Sequence, residues 1–96
     1  MELEQGVYSA HGELVHRHQG GEYRLADVAA YFELGRVETV AGQSTLTLNA
    51  HEVRQLKLQA DAYSFDYDEG FIDMCLDIHR YTERHPAPSF SFTAKV

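Results

Sequence analysis

The stretch from residue 66 to the end of the chain constrains the fold most. Phe71, Met74, Cys75, Ile78 and Tyr81 or Thr82 recur at helical spacing and make one apolar stripe. Asp66 or Asp68 can cap that helix. Glu69 and Asp73 fall early in it and Arg80, Arg84 and His85 late, in the sense the helix dipole favours. Asp77 can pair with Arg80 at i, i+3. Pro86 and Pro88 stop the helix, because the residue before a proline is pushed out of the α region. Ser89–Val96 then alternates strictly, with Phe90, Phe92 and Ala94 toward one side, as a half-buried strand does. A one-faced helix followed by a one-faced strand must bury both faces in a layered core.

The rest of the chain supplies the layers. Arg36–Val40 and Ser44–Leu48 flank Ala41-Gly42-Gln43, a hairpin signal strengthened by Thr, Val and Leu enrichment. Asn49 can cap a helix, with Glu52 three residues on as the second half of a capping box. Val53, Leu56, Ala60 and Tyr63 continue as a helical stripe, although Leu56, Leu58, Ala60 and Ala62 also alternate like a strand. Glu13–His18 is β-compatible, and Gly20-Gly21 after it suggests a hairpin turn. Tyr23–Leu34 supports two patterns. Ala26, Val28, Ala30, Phe32 and Leu34 alternate; Leu25, Val28, Ala29 and Phe32 follow helical spacing. The preceding turn signal tips the expectation to strand. Strands, then helices, then a closing strand predict an α+β fold. A single antiparallel sheet would join the N-terminal hairpins to the C-terminal strand, with one or two second-half helices on one face. No linker or repeat interrupts the sequence, so residues 1–96 are read as one domain.

Composition matters chiefly through where charge falls. The net charge is −7, and residues 58–79 hold six acids with no Lys or Arg. Such a surface repels phosphate backbones and anionic lipids, so direct nucleic-acid and membrane binding are not expected. The longest solid apolar run, 28–32, is far short of a membrane span. The N-terminus is acidic, unlike a signal peptide. One cysteine cannot form an intrachain disulfide, and a reducing cytoplasm is the simplest compartment.

Candidate chemistry is sparse. His16 and His18 would share a face of a strand, as metal ligands from a sheet must, and they are the only weak metal candidates. No Cys/His zinc spacing, phosphate loop or nucleophile elbow occurs. His79 and Glu83 at i, i+4 read as a surface pair, and Cys75 as an inert thiol within the apolar stripe. No catalytic motif and no cofactor motif supports an enzyme. The distinctive segment is Ala62–Phe71, where aromatics interleave with acids. Its rings either enter the core, leaving the acids as turn and cap residues, or serve as anchors on an acidic surface. The second arrangement points to a partner site made by Tyr63, Asp66, Tyr67, Asp68, Glu69, Asp73 and Asp77 for a protein with a basic surface. Inhibitors, immunity proteins and antitoxin-like modules work this way, and a row of carboxylates can imitate phosphates. The alternative is a small-molecule or metal site lined by His16, His18 and Tyr23 or Tyr31. A C-terminal strand unprotected until Lys95 would also allow self-pairing into a homodimer.

Overall fold

A computed structural model describes residues 4–95. In chain order the elements are β1 (Gly6–Ser9), β2 (Leu14–Arg17), α1 (Asp27–Phe32), β3 (Arg36–Val40), β4 (Gln43–Asn49), α2 (Ala50–Ala62), α3 (Glu69–Arg84) and β5 (Ser89–Lys95). The five strands form one antiparallel sheet in the order β2-β1-β5-β4-β3. This is the expected α+β architecture. The final residue of the expected strand, Val96, lies outside the described residues, as does Met1–Leu3 of the acidic N-terminus.

Sequence explains the sheet's two faces. Leu46 opposes Phe92 and Leu48 opposes Phe90 across β4 and β5; the intervening Thr45–Thr93 and Thr47–Ser91 pairs point the other way. Leu46, Leu48 and Phe92 are fully buried and meet Val53, Leu56 and Ala60 of α2 and Phe71, Met74, Cys75 and Ile78 of α3 in one contiguous core. Thr45 and Thr93 join hydroxyls on the opposite face, which stays polar and partly open. The Asn49–Glu52 capping box is formed in both directions, which settles residues 50–62 as helix over the alternating pattern. Asp68, rather than Asp66, caps α3 by accepting from the Gly70 N–H.

Three expectations are corrected. Tyr23–Leu34 holds a helix, not a strand. The Asp27 carboxylate accepts from the Arg24 N–H, and Leu25, Val28 and Phe32 are buried at helical spacing while Ala30 is exposed. Glu33 in the left-handed region, followed by Gly35 at φ 78°, ends that helix and turns the chain into β3. Gly20-Gly21 does not join two strands. The hairpin partner of β2 is β1, across a turn at residues 10–13 in which Ser9 Oγ accepts from the His11 and Glu13 amides. Gly21 instead lets the chain pass close to Tyr23 and to Asp68 at the start of α3: a Cβ there would lie 2.7 Å from the Tyr23 ring and 3.2 Å from Asp68 Oδ1. Finally, β5 is the central strand, flanked by β1 and β4, so it offers no free edge for self-pairing. No helix among the described residues is long and apolar enough to cross a membrane.

Candidate functional site

The acidic window folds into two places. Residues 63–68 form the corner between α2 and α3, and α3 then carries Glu69, Asp73 and Asp77 at successive four-residue steps along one side. The corner is built on rings. Phe71 is buried at its base, and Phe32 from α1 packs beside it with ring centroids 5.3 Å apart. Tyr67, half-buried, contacts Phe71 and Phe32 and stacks on Tyr31 at 5.4 Å. Tyr63 meets both Phe32 and Tyr67.

This cluster runs out of partners toward solvent. Tyr31 is 54% exposed, Tyr63 46%, and Phe65, at the tip of the corner, 100%. Scattered exposed apolar residues are ordinary. Two half-exposed tyrosines joined through Tyr67, with a wholly exposed phenylalanine two residues after Tyr63 in the same corner, are apolar exposure of the kind used for recognition. Around it Asp66, Asp68, Glu69 and Asp73 are all exposed, and none makes an ion pair among the described residues. Asp61, one turn before the corner, is held by Lys57. Neither candidate arrangement of the rings holds for all of them: Phe71 entered the core, Tyr67 lies at the boundary, and Tyr63 and Phe65 stayed outside.

Asp77 sits apart from this group. Its Oδ2 lies 2.8 Å from His16 Nδ1, and its Oδ1 accepts from Arg80 at 2.9 Å. His16 is buried, and its Nε2 lies 2.8 Å from the Tyr23 hydroxyl, which also accepts from the Gln19 N–H. A carboxylate can only accept, so Nδ1 carries a proton, and Nε2 shares a second hydrogen bond with the Tyr23 hydroxyl. Asp77, His16 and Tyr23 thereby join α3, β2 and the 19–26 loop. The Tyr23 ring packs against Gly70, where any Cβ would collide with it. A chain of this kind fixes the seam between α3 and the sheet.

His18 does not join His16 as a ligand pair. Its ring stacks on Tyr23 at 4.7 Å and its two nitrogens engage the Tyr23 carbonyl and the Gly20 amide. Among the described residues no group of three His, Cys, Asp or Glu side chains could hold a metal ion. His16, His18, Tyr23 and Tyr31 do line one broad concavity of about 1050 Å³, together with Arg24 and Asp27. His16 there bonds Tyr23 and Asp77, His18 bonds the Tyr23 and Gly20 backbone, and no buried side-chain polar atom among the described residues lacks a partner. Cys75 is buried, and burial pushes its thiol up to about 12, which keeps it protonated and unreactive. His79 and Glu83 form the expected surface pair at 3.2 Å.

Sequence reasoning missed Tyr31 and Phe32 as members of the aromatic cluster and, although Phe65 lies within Ala62–Phe71, left it out of the partner-site residues. For Phe65 a signal existed: it falls after the last apolar position of α2 and before the first of α3, on neither stripe. Tyr31 and Phe32 come from an element expected to be a strand. Comparison with protein-family models, curated proteins and solved structures returned no match.

Proposed function

We propose that this chain is a small protein-binding module that docks through the α2–α3 corner onto a protein bearing a basic surface with an apolar pocket. The observation that carries this reading is Phe65, fully exposed two residues after Tyr63 of the ring cluster, in a segment whose Asp66, Asp68, Glu69 and Asp73 are exposed and make no ion pair among the described residues. A side chain so placed gains little from folding, whereas inserting it into a partner's pocket removes a large apolar area from water. Tyr63 and Tyr31 add contact area with hydrogen-bonding tips, as interface anchors do. Asp66, Asp68, Glu69 and Asp73 steer a basic partner and disfavour acidic ones. The action fits an inhibitor, immunity or antitoxin-like protein, which works by occupying a surface and needs no chemistry of its own. Where the partner binds nucleic acid, the carboxylates take the place of phosphates. The single inert thiol suits a reducing cytoplasm. The concavity beside His16 and His18 supports the small-molecule reading less, because the ring nitrogens of both histidines are already engaged within the fold.

The test is affinity capture with the wild type and with a variant carrying Asp66→Asn, Asp68→Asn, Glu69→Gln and Asp73→Asn. Asn at 68 keeps the helix cap, so the variant removes charge without removing structure. The proposal predicts loss of the basic proteins that the wild type retains. Equal capture by both baits overturns it.

A further inference from the structure

The two edges of the sheet are unequal. β2 has four residues, is bulged against β1 between Val7 and Tyr8, and is clipped at its end by the Arg17–Glu4 ion pair. Shortness, a bulge and charge are the devices by which proteins close an edge. β3 carries five residues in unbroken register with β4, and no strand among the described residues lies beyond it. Its hairpin closes through Ala41 and Gly42, both at positive φ, so the turn is of the I′ kind and Val40 and Gln43 exchange both backbone bonds. Alternation then commits Glu38 and Arg36 to β4 and turns the N–H and C=O groups of Val37 and Thr39 outward. Gly35, next in that series, also turns away from β4, its N–H going to Glu52 Oε2 at 2.8 Å.

We infer that two copies of this chain pair antiparallel through β3, joining their sheets edge to edge about an axis at Val37. Pairings that keep outward groups opposite one another can centre on Arg36, Val37, Glu38 or Thr39, and centring on Arg36 sets that cation against its own copy. Centring on Glu38 sets that carboxylate against its own copy, and centring on Thr39 sets Glu38 against Val40. Only the Val37-centred pairing sets each Arg36 against Glu38 of the second copy, twice over, by the two-fold symmetry of the contact. Arg36 and Glu38 are exposed and make no ion pair among the described residues, so both are free to do this. They share the open polar face with Thr47 and Thr45, while half-buried Val37 meets Val37 of the second copy on the helix side.

Sedimentation equilibrium of the full chain, from low to high micromolar concentration, tests this. The mean mass of the wild type rises from 10.9 kDa toward twice that value. Arg36→Glu or Glu38→Arg alone weakens association about tenfold or more, and the double reversal restores it. Glu38→Gln weakens association in the Val37-centred pairing and strengthens it in the Glu38-centred one. Phe65→Ala leaves association unchanged, so this edge and the corner fail or stand separately. A wild type that stays monomeric overturns the inference. So do single reversals without effect, a double reversal that does not restore association, or strengthening by Glu38→Gln.

Discussion

The two ends of the acidic window teach different lessons from the same residue type. At the α2–α3 corner Asp66, Asp68, Glu69 and Asp73 face water and make no ion pair among the described residues, near rings that stop short of the core. Two turns along α3, Asp77 turns toward β2 and is held on both oxygens by His16 and Arg80. One end keeps its charge available; the other uses it to lock a helix to a sheet. Clustering of acids along the sequence thus says little by itself. What separates the two uses is the element opposite each carboxylate.

This contrast can be broken at either end. The largest effect is expected at the seam. His16→Ala takes one partner each from the buried Tyr23 hydroxyl and the Asp77 carboxylate and leaves a void, costing about 2–4 kcal/mol of stability in urea unfolding. A cost under about 0.5 kcal/mol, the range of ordinary surface substitutions, would remove the seam's structural role. At the corner the pattern reverses. Phe65→Ala changes unfolding by less than about 0.5 kcal/mol but weakens capture of the partner about 30-fold, as loss of an interface anchor does. Neutralising Asp66, Glu69 and Asp73 is smaller again. Association with the partner slows about tenfold at low salt and the difference fades as salt rises, because these charges are screened.

Glu52 sharpens the comparison as a carboxylate outside the window. It accepts from the Asn49 N–H at 2.9 Å and the Gly35 N–H at 2.8 Å, and those two bonds, Asn49's first, hold its carboxyl below the ordinary 4.5. A lowered folded value means the stabilisation is whole above 4.5 and is lost as pH falls through the lowered value. Glu52→Gln therefore costs about 1 kcal/mol near neutrality. The two unfolding curves converge in acid, and a gap that persists below both values would contradict this assignment.

The parts of the fold legible in the sequence are those where one local rule governs. The β3–β4 hairpin, the capping box at Asn49, the apolar stripe of α3 and the alternation of β5 each follow from neighbours within a few residues. The order of strands does not: β5 pairs with both β1 and β4 because their apolar faces match across the sheet, a long-range fit that no short pattern encodes. α1 reads as a strand in the sequence because six residues carry too few turns to separate helical from alternating spacing, and Val28 and Phe32 satisfy either. The candidate site was half legible. Tyr63, Tyr67 and the acids share one segment, but Tyr31 and Phe32 reach them only through the path of the 19–35 region. Asp77 joined the acids in sequence and left them in space, since its direction on α3 is set by His16 across the seam.

Amide hydrogen exchange of the full chain, free and bound to a captured partner, tests the central claim most directly. The account predicts new protection over residues 63–73 and at Tyr31, with the open sheet face and the His18–Arg24 loop unchanged. Protection over that loop or the sheet face, with residues 63–73 exchanging as they do in the free chain, would contradict it.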